Sequence, residues 1–317
     1  MNAVVNPPKK MGYLKKQHKN FKKNKSIVTF LIPAIILTLV FGYVPMLGII
    51  IAFKEDVRPS NWLYDTLTSP FTFNHFTKVF SDPEVLTALK NTLIISFSKI
   101  LIFFPLTIIL AILLSEIKKS SLSKLLLIIL CLPNFLSWPV TIGIWNNLLS
   151  LDNGLVNNII AALGGERIYF FRDHFKFLVV FLSIWKGIGW GSIYFYAAIM
   201  SIDKEYYEAA VIDGANKFQQ IRYLTIPGIM PVIALQLVMN ITYILDAGFD
   251  QVYSMIQLVR SATYDEQILG TYIFNLTMSN ERIPFTVAMS VIQGLLALIL
   301  MLGGNTLVKK KLGRSLW

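Results

Sequence analysis

Apolar residues run almost unbroken through six long stretches, near Ile27–Phe53, Thr92–Leu114, Leu122–Leu149, Phe177–Met200, Pro231–Ile256 and Pro284–Val308. A hydrocarbon core about 30 Å thick needs roughly 20 apolar residues in helical form. Every stretch meets that length, so the pattern predicts an all-α, polytopic membrane protein with six transmembrane helices. The first stretch follows a lysine-rich segment, yet its apolar run exceeds that of a signal peptide and no small-x-small cleavage site follows. It reads as a retained helix. Pro33, Pro45, Pro105, Pro133 and Pro139 fall inside the runs. Each removes a helix hydrogen bond and predicts a kink, and kinked helices open cavities, although membrane helices also tolerate proline when neighbours satisfy the freed carbonyls.

Composition agrees: 55% of the 317 residues are apolar and only 15% charged, against roughly a quarter charged in soluble domains. The net charge of +11 does not point to nucleic acid, because the basic residues flank apolar runs instead of lining one accessible face. Their distribution sets an orientation, since basic residues in short loops stay on the cytoplasmic side. Eight lysines between Lys9 and Lys25, then Lys118, Lys119 and Lys124, then Lys204, Lys217 and Arg222, then Lys309, Lys310, Lys311 and Arg314 fall on one side. The other holds Lys54, Arg58, Lys78, Arg167, Arg172, Arg260 and Arg282, with Lys90 and Lys176 at helix edges. Both termini, Ser115–Ser121 and Ser201–Pro227 are therefore expected in the cytoplasm, and Lys54–Lys90, Ser150–Lys176 and Gln257–Ile283 outside.

The chemistry that the chain lacks narrows its class. Cys131 stands alone in an apolar run and His18, His75 and His174 are far apart, which leaves no disulfide framework and no metal cluster. Asp246 and Asp250 are four apart, but no His or third carboxylate completes a metal site. No Gly-Lys pair occurs, so the chain has no phosphate-binding loop of its own. No catalytic residue, metal ligand or cofactor is assigned within it, and a membrane-embedded enzyme is the remote alternative.

The most informative segment is the polar loop Ser201–Pro231, SIDKEYYEAAVIDGANKFQQIRYLTIPGIMP. Asp203 is placed to cap a short helix carrying Glu205 near its positive end and Tyr206–Ala210 beyond. Gly214 suits the left-handed conformation that ends such a helix. A second helical stretch, Asn216–Tyr223, follows, and Pro227 and Pro231 mark entry to the fifth span.

Here the sequence resembles the permease subunits of binding-protein-dependent ABC importers. Their cytoplasmic hallmark is Glu-Ala-Ala, three residues, Gly, nine residues, then a hydrophobic pair around one residue and a Pro. This chain has Glu208-Ala209-Ala210, Gly214, Leu224, Ile226 and Pro227 at that spacing, between the fourth and fifth spans. Ile212-Asp213-Gly214-Ala215, Phe218-Gln219 and Leu224-Thr225-Ile226-Pro227 resemble the carbohydrate-uptake branch. Asn91-Thr92-Leu93 is similar to the opening of the family's core domain. Pro133–Trp138 and Gly187–Ser192 resemble a subgroup handling complex oligosaccharides in Gram-positive bacteria.

The resemblance implies the type I ABC importer permease fold, in a plasma membrane. Segment 1–25 would be a basic cytoplasmic lead, 26–87 the first helix and outer loop, 88–308 a core of five helices with the coupling loop at 201–231, and 309–317 a basic tail. Glu208, Ala209, Ala210, Asp213, Gly214, Ala215 and Pro227 would form the contact with a separate ATPase. Implied partners are a second related permease (a heterodimer), two ABC ATPase subunits carrying ATP and Mg, an extracellular solute-binding lipoprotein and an oligosaccharide. An amino-acid or phosphate permease is the nearer alternative, against which stand the sugar-type loop and the aromatic-rich spans. A non-transporting scaffold would leave the loop pattern unexplained.

A substrate pathway is expected near the bilayer midplane. About a dozen residues beyond Pro231, Asn240, Tyr243 and Asp246 reach that depth at 1.5 Å per residue, and with Asp250 their spacing forms one helical stripe. Trp185 and Trp190 on the fourth span and Gln293 on the sixth stand at similar depth. Aromatic faces suit the C–H faces of a sugar, and amides and carboxylates suit its hydroxyls. Helix packing and interhelical bonding is the plainer account of the same residues. Lys99 and Lys186 would suit an acidic sugar, or equally pair with a carboxylate or snorkel.

Overall fold

The computed structural model describes residues 25–259, 266–280 and 282–312, and helices dominate them. The basic segment 1–24, Arg260 and Arg314 lie outside these residues. Five uninterrupted helices are long and apolar enough to cross a bilayer: Thr29–Phe53, Pro83–Ser115, Phe175–Met200, Lys217–Thr242 and Ile283–Lys310. A broken pair, Ser121–Phe135 and Trp138–Leu149, bends by 96° and makes the sixth if counted as one span.

Three spans differ from the sequence expectation. The second starts at Pro83, not Thr92, because Asp82 caps it by accepting the Glu84 N–H at 3.0 Å and Pro83 takes the first helical position. The third, expected as one helix over Leu122–Leu149, opens at Leu136 and Ser137, whose ψ values of 142° and 157° are extended. Prolines stand on both sides: Pro133 near the end of one helix and Pro139 in the first turn of the next. The fifth, expected over Pro231–Ile256, starts earlier at Lys217, ends at Thr242 and resumes as Phe249–Val259.

Other prolines bend the chain less than expected. Wide i→i+5 turns at Leu39–Tyr43, Lys99–Phe103 and Ile221–Thr225 are closed by the N–H groups of Val44, Phe104 and Ile226. The next residue in each case is a proline: Pro45, Pro105 and Pro227. A proline ring collides with the carbonyl four residues back, and a widened turn moves that carbonyl aside. The helices therefore continue through these prolines.

The fourth span is the hub, packing on the second, third and fifth. Glycines permit the approach. A Cβ on Gly189 would lie 2.3 Å from the Leu130 carbonyl, and one on Gly191 would lie 2.8 Å from Cγ2 of Thr107. These residues thus serve two faces, one toward the third span and one toward the second. Ile95, Ile142, Leu178, Val179, Leu182, Val252 and Met255 are buried together where the second to fifth spans meet. In lipid such packing stabilises through dispersion and close fit more than through removal from water.

Candidate functional site

The interruption of the fifth span is held by side-chain hydrogen bonds from three other spans. Residues 243–248 leave the helix, with Ala247 and Gly248 in the left-handed region at φ 51° and 85°. Off-helix backbone at this depth survives only where protein or enclosed water satisfies it. Here side chains do so. The Ser96 hydroxyl donates to the Ile244 carbonyl, the Gln293 amide to the Leu245 carbonyl at 3.1 Å, and the Lys99 ammonium to the Ala247 carbonyl at 3.0 Å. Lys99 also donates to Oε1 of Gln251 at 3.1 Å. That amide is fully buried, accepting from the Ser183 hydroxyl at 2.8 Å and donating to the Val179 carbonyl at 2.7 Å. The network joins the second, fourth, fifth and sixth spans.

Its effect is to turn Tyr243, Asp246 and Asp250 outward from the chain, with Tyr243 63% exposed and both carboxylates exposed. The single stripe expected for Asn240, Tyr243, Asp246 and Asp250 does not form, because the helix unwinds between the second and fourth of them. Asn240 is half-buried and donates to Gln236 on its own helix at 2.7 Å. Carboxylates at this depth are costly against lipid, so this face meets protein or a wet cavity.

Trp185 and Trp190 stand instead against the third-span break. Trp185 packs edge-on to Trp145 with centroids 5.6 Å apart, and the 44% exposed Trp190 meets Phe135 at 6.2 Å. Lys186, only 7% exposed, donates to the Asn134 carbonyl at 2.7 Å and lies 5.3 Å from the Trp138 ring centroid. The half-helices beyond the two breaks, Trp138–Leu149 and Phe249–Val259, pack on each other.

The loop between the fourth and fifth spans forms the short helix Lys204–Ile212. Asp203 precedes it but makes no side-chain cap, contrary to expectation. Gly214 is left-handed at φ 78°, and the Ala215 N–H reaches back to Ala210 at 2.9 Å while Gly214 bonds Val211 at 3.1 Å, closing the helix end. Asn216 caps Lys217–Gln220 with a reciprocal bond to Gln219, and that helix runs straight into the fifth span. Glu208, Ala209, Asp213, Gly214 and Pro227 are exposed, Ala210 and Ala215 half-buried. Ile212 at 86% and Phe218 at 68% add an exposed apolar patch. Tyr207 bonds Thr225 at 2.9 Å, and Lys217 pairs with Glu116 at 2.8 Å, bracing the loop against two spans. A cleft of about 420 Å³ lies between, lined in part by Glu116, Lys204, Tyr207 and Glu208.

Asn91 and Thr92 have a structural task. Asn91 donates to the Gln267 carbonyl at 2.9 Å and Thr92 accepts the Leu269 N–H at 2.8 Å, seating the helix Leu269–Met278 on the second span. The buried Tyr272 donates to Glu84 at 2.9 Å, and burial, followed by this bond, pushes its phenol above the usual range. Reading the sequence alone missed Ser96, Ser183 and Gln251. A clue was the cluster Asp246, Gly248, Asp250 and Gln251 within an otherwise apolar run.

Comparison with known proteins gives one consistent answer. Residues 103–313 match the family described as binding-protein-dependent transport system inner membrane component. The protein LplB of Bacillus subtilis (strain 168) is 33% identical over 91% of this chain and 90% of its own length. The polygalacturonan/rhamnogalacturonan transport system permease protein YteP of the same organism is 34% identical over 91% of this chain and 89% of its own. The crystal structure of a bacterial ABC transporter involved in the import of the acidic polysaccharide alginate contains a similar chain: TM-score 0.83, 32% identity, 93% of this chain and 99% of that one. With this coverage, the broken fifth span and the Glu208–Pro227 loop, the chain belongs to the family of inner membrane components of binding-protein-dependent transport systems.

Proposed function

We propose that this chain forms half of the translocation pore of an ATP-driven importer for an oligosaccharide. The observation that carries the reading is the interrupted fifth span, whose freed carbonyls are held from behind while Tyr243, Asp246 and Asp250 face out. Discontinuous helices of this kind build midplane substrate sites in transporters. A second related permease completes the pore, and two ATPase subunits holding ATP and Mg dock on Glu208, Ala209, Ala210, Asp213, Gly214, Ala215 and Pro227. An extracellular solute-binding lipoprotein delivers the sugar to the opposite face, where a cavity of about 710 Å³ is lined by His75, Lys78, Asp82 and Arg282 among others. Both termini, Ser115–Ser121 and Ser201–Pro227 are cytoplasmic, a placement the lysine distribution supports, and the cell membrane is that of a Gram-positive bacterium. Substrate passes Trp185, Trp190, Asn240, Tyr243, Asp246, Asp250 and Gln293.

The relatives named for alginate and for polygalacturonan/rhamnogalacturonan support a carbohydrate and direct the test. The cognate binding protein is screened by thermal shift against neutral and uronate oligosaccharides, and uptake of its best ligand is measured with Tyr243→Ala, Asp246→Ala and Trp190→Ala. At least one variant is expected to lose most uptake. Normal uptake by all three, with normal assembly, refutes the pathway. A binding protein that ignores sugars and binds amino acids refutes the substrate class.

A further inference from the structure

The two breaks share one device. Lys99 and Lys186 both lie deep within spans, and each places its ammonium on a carbonyl that a break has left without a helical partner: Ala247 in the unwound stretch of the fifth span and Asn134 at the helix end in the third. The Asn134 carbonyl stands at the C-terminal, negative end of its helix, the Ala247 carbonyl belongs to unwound backbone, and in other transporters carbonyls of both kinds coordinate an alkali cation. We infer that Lys99 and Lys186 are positioning residues that serve as the chain's own cations at the two breaks, holding the backbone of each in the geometry that aims the pathway face.

The surroundings of each ammonium fit that task. At the fifth-span break Gly248 leaves room for it: a Cβ there would lie 2.7 Å from Nζ of Lys99. Gln251 is turned so that its oxygen faces Lys99, because its own N–H group is committed to the Val179 carbonyl. Asp246 adds an attractive charge. At the third-span break Gly189, one turn beyond Lys186, brings the fourth span against the Leu130 backbone, which puts the Asn134 carbonyl within reach. The Trp138 ring covers the same ammonium. Lys186 is thus committed to backbone and Lys99 to backbone and Gln251, and a substrate meets the surfaces they hold, Tyr243 to Asp250 and Phe135 with Trp190.

The test is hydrogen exchange, read by mass spectrometry, on the assembled importer in nanodiscs. Lys99→Met and Lys186→Met keep a long stem and remove the charge. Lys99→Met is expected to speed exchange over 243–252 about tenfold, the effect of losing one charge-assisted hydrogen bond, and to leave 132–138 unchanged. Lys186→Met is expected to do the reverse. In Lys99→Ala, propylammonium is expected to restore slow exchange and propanol is not. If a Met variant fails to assemble, Lys99→Gln or Lys186→Gln takes its place under the same expectations. Wild-type exchange at both breaks, or equal rescue by propanol and propylammonium, overturns the inference. Its consequence for transport, a fall in maximal uptake, rests on the importer reading. Hydrogen exchange needs no sugar, so the inference fails independently of the substrate assignment.

Discussion

Replacing Gly189 by alanine is the sharpest test of the packing that holds the third-span break. Its Cβ would lie 2.3 Å from both carbon and oxygen of the Leu130 carbonyl and 2.7 Å from the Cys131 nitrogen. Carbon atoms pack at about 3.5–4.0 Å, so the third and fourth spans must part by about 1 Å, and a gap of that size forfeits a quarter to a half of each contact's dispersion energy. Backbone, not a flexible side-chain tip, is the obstacle, which places the cost near the top of the range for overpacking, about 3 kcal/mol. The same displacement would stretch the 2.7 Å Lys186–Asn134 bond beyond hydrogen-bonding range. Gly143 is the control: it also lies within a helix, but a Cβ there meets nothing within 4 Å. Gly143→Ala should be neutral or stabilise by about 0.5–1 kcal/mol through helix propensity. Both variants are made in the complete importer and heated in detergent, with surviving complex measured by fluorescence-detected gel filtration alongside uptake. Gly189→Ala should melt well below wild type and transport poorly, while Gly143→Ala should match or exceed wild type. Equal melting of the two variants would refute the argument.

Orientation is tested with single cysteines in a Cys131→Ser background: an impermeant thiol reagent on intact cells should label position 61 and not position 216, and the opposite result inverts the topology. At the coupling loop, Glu208→Lys reverses an exposed charge, and Gly214→Val puts a β-branched residue at φ 78°. Both should assemble yet lose uptake and substrate-stimulated ATP hydrolysis, and wild-type values in both would remove the loop from coupling. In the loop between the first and second spans the Arg58 guanidinium, bonded to Asp65 at 2.9 Å, holds that carboxyl down at about 2. A depressed carboxyl stabilises above its unfolded value near 3.9 and loses that contribution as pH falls toward about 2. Pepsin should therefore cut this loop slowly at pH 4 and much faster near pH 2, whereas Asp65→Asn should be cut readily at both; a pH-independent rate in wild type would contradict the pairing. The exposed Lys217–Glu116 bridge should matter little to stability, about 0–1 kcal/mol, so Lys217→Ala should leave the melting midpoint of the complex nearly unchanged.

The sequence by itself determined the membrane class, the apolar runs that make the spans and the helical form of the loop between the fourth and fifth of them, because these reside in local patterns. Run length alone decides whether a helix can cross a bilayer. The loop was legible for the same reason: Gly214 ends its helix through bonds to Val211 and from Ala215 to Ala210, all within six residues. The Asp203 cap, although equally local, did not form, and the second span gained nine residues because an Asp82 cap overrode the polar Lys90 and Asn91. Pro133 and Pro139 marked the third span for a bend, but only the tertiary structure decided that it opens at Leu136 and Ser137 and that the fifth breaks after Thr242. Nothing in an apolar run says which carbonyls can be left unpaired, since that depends on donors elsewhere in the chain. Ser96 lies 148 residues from Ile244, Lys186 lies 52 from Asn134, and Gln293 lies 48 from Leu245. An open turn in lipid is tolerable only when such groups arrive to bond it, so the stripe expected from Asn240 to Asp250 gave way to a turn whose position was set by its neighbours.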